Sequence, residues 1–145
     1  MVHIGVIGCG HWGPNHIRVF SSLRESNVIS VADPDAQRLQ YIKEQYPNIE
    51  TYEDAPGLLS DSRIEAIVVA TPTHTHYELV KAALSAGKHV LCEKPLCQSV
   101  EEGQELVDLA EQQKCILMVG HIFVFNSGIL KLKELIQEKY LGDIY

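Results

Sequence analysis

The sequence lacks long apolar segments. Across its 145 residues the longest unbroken apolar runs have five residues, such as the run at 66–70. A helix that crosses a bilayer needs roughly twenty apolar residues, so we expect no membrane span. The N-terminus has no basic stretch ahead of an apolar one and no small-residue cleavage site, so a secretory signal is not expected either.

Clusters of basic residues are also missing. Twelve Lys and Arg residues stand against nineteen Asp and Glu residues, which gives a net charge of -7, and the basic residues are scattered along the chain. Proteins that bind nucleic acid rely on concentrated positive charge to attract the phosphate backbone. We therefore expect no nucleic-acid partner.

The cysteines are few and follow no known ligand or redox pattern. They form no C-x-x-C pair, and their positions are Cys9, Cys92, Cys97 and Cys115. Without an export signal they are most simply reduced thiols, so we expect a cytoplasmic protein. Cys9 is then a small filler rather than a redox switch.

Other sequence patterns of catalysis are absent as well. His74 and His76 stand two residues apart at the start of a predicted helix and do not share a helical face, so we expect no metal site. The sequence contains neither the G-x-S-x-G elbow of serine hydrolases nor the G-x-x-x-x-G-K-[ST] loop that binds ATP or GTP. Both of those classes are therefore excluded.

What the sequence does contain is a regular alternation of short apolar runs and longer helical periods, with 46% apolar residues overall. The pattern predicts strands at 2–7, 28–32, 65–70, 89–92 and 115–119, with a weaker one at 49–52. It predicts helices at 12–24, 35–45, 55–59, 75–86 and 100–113. Strict alternation is typical of an α/β fold, here a doubly wound parallel sheet with crossover helices on both faces.

Two predicted helix ends carry recognisable end signals. Gly87 follows an Ala- and Leu-rich run, at a point where a left-handed residue would end a helix. Ser99 precedes Val100 as an N-cap, with Glu102 at the capping-box position. The two signals place the end of one helix and the start of the next within a few residues of the strand predicted at 89–92.

Three glycines follow the first predicted strand as G-x-G-x-x-G. Gly8 suits a tight turn, Gly10 lets the backbone approach a pyrophosphate, and Gly13 lets a helix pack closely against the strand. The N-terminus of the following helix, with Pro14 in its first turn, would attract phosphates through free N–H groups. His11 and Trp12 are candidates to flank the pyrophosphate, with core packing an equal alternative for Trp12.

An acidic residue at the end of the second strand strengthens this interpretation. Asp33 lies twenty residues after Gly13, where a carboxylate accepts hydrogen bonds from the adenosine ribose. It would repel a 2′-phosphate, and no Arg follows until Arg38, so the sequence favours NAD over NADP. The alternative is that the glycines only form a turn and that Asp33 caps the next helix ahead of Pro34.

Three stretches together make a more specific pattern. They are G-C-G-H-W-G-P-N at 8–15, A-T-P at 70–72 followed by His76, and A-G-K-H-V-L-C-E-K-P-L at 86–96. In these stretches the chain resembles the glucose-fructose oxidoreductase / inositol dehydrogenase / MocA (Gfo/Idh/MocA) family, with the Glu93-Lys94-Pro95 tripeptide as the most specific signature. The resemblance implies an NAD(P)-binding Rossmann fold and oxidoreductase activity on sugars, inositols, sugar acids or nucleotide-linked sugars.

The resemblance also implies roles for individual residues. Residues that match Thr71, Pro72 and His76 lie beside the cofactor in the family, and those that match Glu93 and Lys94 reach the nicotinamide ribose and the reacting carbon. Lys94 is the catalytic candidate, because a nearby ammonium can polarise a sugar hydroxyl or join a proton relay. The alternative for Lys94 is a surface lysine paired with Glu93. The isomer of the bond before Pro95 is open at this stage.

The end of the chain matches the segment that enters the family's substrate pocket. His121, Phe125 and Asn126 belong to this segment, and we expect His121 and Asn126 to contact substrate. The family usually has Pro after the Asn, whereas this chain has Ser127, a departure that concerns the path of the loop. A further amphipathic helix is predicted at 128–140, followed at 141–145 by a helix stop and the first residues of a strand.

The resemblance divides the chain into a dinucleotide-binding domain at 1–120 and, at 121–145, a connecting segment that begins a truncated second α/β domain. Family members continue into that domain, which supplies most of the substrate pocket, part of the catalytic set and often the oligomer interface. We therefore expect a homo-oligomer and a small sugar-like substrate. The alternative is a dinucleotide-binding module without catalysis, or an inactive truncated chain.

Overall fold

The computed structural model describes residues 1–143, which form alternating strands and helices. The strands are Val2–Ile7 (β1), Ser26–Ala32 (β2), Glu50–Tyr52 (β3), Ala66–Val69 (β4), His89–Cys92 (β5) and Leu117–Val119 (β6). The α-helices are Gly13–Ser22 (α1), Ala36–Gln45 (α2), Ala55–Leu59 (α3), His76–Ser85 (α4), Val100–Gln113 (α5) and Ser127–Gln137 (α6). Two short 3₁₀ turns lie at Thr73–Thr75 and Ile122–Phe125.

All strand pairings in the sheet are parallel, and the strand order is β3-β2-β1-β4-β5-β6. This confirms the predicted doubly wound α/β fold. The connection from β1 leads outward to β2 on one side, and β4 begins the other half of the sheet. Such a reversal opens a crevice outside the carboxyl ends of the two central strands, where α/β sheets bind their ligands.

The sheet is buried on both faces, as parallel sheets require. Successive residues of β4 go to opposite sides: Val68 packs in the core beneath α1 and α2, whereas Ile67 and Val69 pack with α3, α4 and α5. The same division separates Val6 from Ile7 at the end of β1. Two cores of this kind hold the carboxyl ends of the strands rigidly in place.

The end signals of the helices act as the sequence predicts, with one difference. Gly87 adopts a left-handed φ of +72° after α4, and the Ser99 hydroxyl accepts a hydrogen bond of 3.1 Å from the Glu102 N–H at the start of α5. The Glu102 carboxylate, however, accepts from the N–H of Gln98 at 2.9 Å rather than from that of Ser99. The chain before the helix is thus fastened one residue earlier than in a standard capping box.

The last helix differs most from its predicted bounds. It ends at Gln137 instead of at 140, since the chain turns at Lys139, whose φ of +56° is left-handed. None of the α6 residues is buried, so the helix lies on the surface of the described structure. The strand start predicted at 141–145 falls partly on residues 144 and 145, which lie outside the described residues. Between residues 1 and 143 no helix is long and apolar enough to span a membrane.

Candidate functional site

The glycine turn after β1 is built on close backbone contacts. Gly8 has a φ of +97°, and a Cβ placed on it would lie 2.6 Å from the Ala70 carbonyl oxygen. A Cβ on Gly13 would lie 1.9 Å from the Gly8 carbonyl oxygen. By contrast, the nearest atom to a Cβ on Gly10 is Nη1 of Arg38, 3.5 Å away. Gly8 and Gly13 are therefore required by the fold, whereas Gly10 leaves open space above the turn.

Backbone N–H groups face this open space without partners. Within the described part of the chain, the N–H groups of Gly10, His11 and Trp12 donate no hydrogen bond to protein. They precede α1, which has no side-chain cap and carries Pro14 in its first turn. Unpaired N–H groups and the positive end of a helix dipole form a binding site for anions such as phosphates.

Asp33 lies directly beside this turn, at the end of β2. Its carboxylate is only 3% exposed and accepts hydrogen bonds from the Cys9 N–H at 2.7 Å and the Asp35 N–H at 2.9 Å. The alternative role that the sequence left open, a cap for the next helix, belongs to Asp35, whose side chain accepts from the N–H groups of Gln37 and Arg38. Asp33 instead ties the second strand to the glycine turn.

Arg38 is closer to the site than its place in the sequence suggests. The first turn of α2 brings its Nη1 to 3.6 Å from Oδ2 of Asp33, and its Nε lies 3.3 Å from Oδ2 of Asp35. The lack of an Arg between Asp33 and Arg38 in the sequence therefore does not keep a guanidinium away from the site. The guanidinium is half exposed and borders the open cavity above the glycine turn.

That cavity, of about 710 Å³, lies at the carboxyl edge of β1, β2 and β4. The predicted site residues on its wall are Gly8, Gly10, His11, Trp12, Asp33, Thr71 and Pro72. Wall residues that sequence reasoning missed include Arg38, Glu53, Asp54, Thr75 and Leu79. Thr75 carried a usable signal, since it follows Pro72 at the start of a helix, but Glu53 and Asp54 come from the end of β3 and carried none.

His76 lies behind the cavity wall instead of on it. It is buried, with 1% exposure, and its Nδ1 and Nε2 lie 2.7 Å from the Pro95 carbonyl oxygen and 2.8 Å from that of Thr71. Its ring thus links the loop after β4 to the loop after β5. A direct contact between His76 and a nucleotide stays a prediction.

A second, smaller cavity of about 290 Å³ adjoins the first and shares Trp12 with it. Glu93, Lys94, Gly120 and His121 line it, and the Lys94–Pro95 peptide bond is cis. Trp12 is 47% exposed, so it stands between the two cavities and is not part of the core. The structure therefore places Lys94 and His121 on the wall of the same cavity.

Glu93 has a partner that sequence reasoning did not select. Its Oε1 accepts a hydrogen bond of 2.8 Å from Nε2 of His16 on α1. The alternative pairing of the Lys94 side chain with Glu93 is not formed. The only group of Lys94 that donates to this carboxylate is its backbone N–H, at 3.3 Å. Asn126 is outside both cavities, and its side chain caps α6 by accepting from the N–H groups of Gly128 and Ile129.

The two cysteines nearest the site are buried thiols. Burial raises the pKa of Cys9 to about 12, and the neighbouring Asp33 carboxylate adds to the rise while the Arg38 guanidinium opposes it. Burial likewise raises the pKa of Cys92 to about 12, with smaller contributions from Glu93 and Cys97. Neither thiol forms a reactive thiolate near neutral pH. Across residues 1–143, no group of three or more His, Cys, Asp or Glu side chains is placed to hold a metal ion.

A glycine turn with unpaired N–H groups, a buried carboxylate beside it and a parallel sheet in this strand order together define a Rossmann-type dinucleotide-binding domain. The comparison with known proteins gives the particular family. A family model described as "Oxidoreductase family, NAD-binding Rossmann fold" matches residues 2–121. The chain belongs to the Gfo/Idh/MocA family of oxidoreductases.

Two of its relatives are named as inositol dehydrogenases. The chain is 31% identical to a myo-inositol 2-dehydrogenase from Thermotoga maritima, over 97% of this chain and 42% of the relative. It is 31% identical to the NADP(+)-dependent scyllo-inositol 2-dehydrogenase IolW from Bacillus subtilis, over 99% of this chain and 39% of the relative. The chain thus spans less than half the length of these relatives.

A solved structure has the same fold over almost the whole of this chain. It is that of a mutant 3-ketoreductase from Actinomadura kijaniata in complex with TDP-benzene and NADP. The TM-score is 0.89 at 26% identity, with 99% of this chain and 46% of the other covered. The match supports the assignment of the fold over the full described length.

Proposed function

We propose that this chain is the nucleotide-binding half of an NAD-dependent oxidoreductase, which transfers a hydride between a nicotinamide cofactor and a hydroxyl of a sugar, an inositol or a nucleotide-linked sugar. The observation that carries the proposal is the row of unpaired N–H groups at Gly10, His11 and Trp12 above a buried Asp33. The relatives named for myo-inositol and scyllo-inositol support the substrate class.

The residues of the larger cavity fit a dinucleotide. The free N–H groups before α1 would hold the two phosphates, because no group within residues 1–143 accepts a hydrogen bond from them. Asp33 would accept hydrogen bonds from the adenosine ribose, and Thr71 and Pro72 would cover the cofactor from the opposite wall. The low exposure of Asp33 supports this role, since water competes little for its oxygens.

NAD is the proposed cofactor, with NADP the weaker alternative. A 2′-phosphate on the ribose would approach the Asp33 carboxylate and be repelled by it. Arg38 would attract a 2′-phosphate and so favour NADP, because its guanidinium borders the same cavity. Arg38 already has two carboxylate neighbours, Asp33 and Asp35, which leaves it less free to bind a phosphate. Because one relative is named as NADP(+)-linked, the affinities for NAD and NADP need to be compared directly.

Lys94 is the proposed catalytic residue of this half. When bound, a nicotinamide ring supplies the hydride acceptor or donor. Lys94 is exposed at the smaller cavity beside Glu93 and His121, and its ammonium can polarise a substrate hydroxyl or join a relay that carries the hydroxyl proton away as the hydride leaves. Glu93 would contact the nicotinamide ribose. His121 and Asn126 are proposed to meet the substrate, although Asn126 would first have to leave its cap on α6.

We also propose the division of the chain at residue 120 and a homo-oligomeric whole protein. After Gly120 the chain contributes exposed apolar residues instead of core, which supports a connecting segment.

The cysteines are free thiols in the described residues, which supports a reducing compartment such as the cytoplasm.

The test is calorimetric titration of the folded chain with NAD+, NADH and NADP+. Binding of NAD+ or NADH, with NADP+ weaker, is the expected result. If none of the three produces heat of binding, and soaked crystals show an empty crevice, the proposal is wrong.

A second candidate is a dinucleotide-binding module without catalysis. Formation of NADH from NAD+ with a panel of polyols and UDP-sugars supports the oxidoreductase. Binding without turnover supports the module.

A further inference from the structure

We propose that His16 and His76 are positioning residues, which fix the main chain on both sides of Lys94 and so set where its ammonium lies. Neither histidine lines either cavity, so the role proposed here does not depend on a contact with substrate or cofactor. The inference rests on the proposed function for its catalytic meaning. We call the contacts of His16 with Glu93 and of His76 with Pro95 the clamp. The clamp is present in this chain whether or not the proposed function is correct.

The first half of the clamp runs from α1 to the end of β5. His16 Nε2 donates to Oε1 of Glu93 at 2.8 Å, and the two side chains are only 20% and 15% exposed. The imidazole also stacks against the Phe20 ring, with centroids 6.3 Å apart and an interplanar angle of 18°. Oε2 of the same carboxylate accepts from the Lys94 N–H at 3.3 Å. A fixed ring therefore holds a carboxylate that holds the Lys94 backbone.

The second half runs from α4 to the residue after Lys94. The His76 ring stands between two carbonyl oxygens, that of Pro95 at 2.7 Å and that of Thr71 at 2.8 Å. A neutral ring donates to one of them at a time, and a charged ring to both. Either way, the buried ring leaves little freedom to the chain beyond Lys94. It also joins this chain to Thr71 on the wall of the larger cavity.

Lys94 itself is otherwise unheld. Its side chain is exposed, and within residues 1–143 its Nζ forms no hydrogen bond or ion pair. A long, mobile side chain can be aimed only through its backbone, and small displacements of a catalytic group cost large factors in rate. The two histidines supply that constraint from elements on opposite faces of the sheet.

The test compares His16→Leu, which removes the donor, with His16→Gln, whose amide N–H can replace Nε2. Each variant is titrated with NADH and with ADP-ribose, which lacks the nicotinamide. We expect His16→Leu to weaken NADH binding about fivefold, because a Glu93 carboxylate that is no longer held would contact the nicotinamide ribose less well, and to leave ADP-ribose binding within about twofold. His16→Gln should restore most of the NADH affinity. His3→Leu, near the amino end of β1 and away from both cavities, is the matched control.

A second measurement needs no cofactor. The ¹⁵N order parameter of the Lys94 amide should fall in His16→Leu and stay at its wild-type value in His16→Gln and in His3→Leu. If this order parameter is unchanged in His16→Leu, or if NADH and ADP-ribose lose affinity equally, His16 has only a structural role and the inference is wrong. If the wild-type chain binds neither ligand, the proposed function fails while the order parameter still decides the clamp.

The His76 half is tested in the wild-type chain, because replacing a buried ring risks unfolding. A hydrogen-bonded ring N–H of His76 should exchange slowly with solvent and show a coupling across the hydrogen bond to the Thr71 or Pro95 carbonyl. If no protected ring N–H is found in the folded chain, the His76 half is wrong.

Discussion

Asp33 meets two demands with one carboxylate. Its oxygens hold the N–H groups of Cys9 and Asp35, and in the proposed function they also face the adenosine ribose. Nη1 of Arg38 lies 3.6 Å from Oδ2 of Asp33. The guanidinium can pair either with this carboxylate or with a phosphate. In the proposed function, the preference between NAD and NADP therefore depends on the charge balance between these two side chains.

Asp33→Asn removes the charge and keeps a side-chain oxygen for the Cys9 N–H. We expect NAD+ affinity to fall about tenfold, because hydrogen bonds to a charged group are worth about 1.5–3 kcal/mol. NADP+ affinity should stay the same or rise, since the repulsion is gone and Arg38 is released. Calorimetry with both cofactors measures the ratio, and Asp54→Asn on the same cavity wall is the control. An equal loss for both cofactors would contradict the proposed preference.

The buried thiols give an alkaline limit to stability. A thiol that titrates near 9 when unfolded and near 12 when folded stays protonated in the native state. The unfolded state then binds fewer protons above pH 9, so the free energy of unfolding falls as the pH rises from about 9 to 12. At pH 10 each thiol should cost about 1 kcal/mol relative to pH 8.

Urea unfolding at the two pH values checks this loss. Cys92→Ala should show a smaller difference between pH 8 and pH 10 than the wild-type chain does, and Cys97→Ala, at a less buried position, is the control. If the free energy of unfolding falls by the same amount between pH 8 and pH 10 in all three proteins, the prediction is wrong.

At the scale of elements, the turn between β1 and α1 separates folding from binding. Gly13→Ala would drive a Cβ into the Gly8 carbonyl oxygen, whereas Gly10→Ala would fill only the open space above the turn. We expect Gly13→Ala to lower the free energy of unfolding by about 2 kcal/mol or more. Gly10→Ala should change it by less than about 0.5 kcal/mol and still reduce NAD+ affinity more than tenfold.

Thermal unfolding and calorimetry on the two variants give both quantities. The prediction fails if Gly10→Ala binds NAD+ normally, because the phosphates would then not approach the turn at that residue.

Some element-level features could be predicted from local sequence, and others could not. The Ser99 cap and the Gly87 stop depend on neighbours within a few residues. Lys88 shows the opposite case: it is buried, and its Nζ donates to the carbonyl oxygens of Asp61 and Ile64. Those partners lie in the loop before β4, and nothing near Lys88 in the sequence indicates them.

At the scale of the whole molecule, the apolar surface after Gly120 stands out. Every large apolar residue of the turn Ile122–Phe125 is well exposed, and so are four of the five in α6: Ile129, Leu130, Leu132 and Ile136. The fifth, Leu135, is half-buried. A contiguous apolar patch of this kind marks an interaction surface or promotes association.

We expect the chain to self-associate through this patch in sedimentation experiments at high concentration. Leu132→Glu combined with Ile136→Glu should raise the dissociation constant at least tenfold, because two buried apolar contacts are replaced by charges. Lys133→Glu changes the net charge of the chain by the same amount and should have little effect. A strictly monomeric wild-type chain would contradict the expectation.

Sequence alone determined the order of the elements, the glycine turn and the acidic residue that accompanies it. These are patterns of period and spacing, and each is written within a few tens of residues. Only the tertiary structure decided which side chains meet across loops: Arg38 with Asp33, His16 with Glu93, and His76 with Thr71 and Pro95. His16 and Glu93 are 77 residues apart, and they meet because packing of the whole sheet sets the strand order and brings α1 to the end of β5.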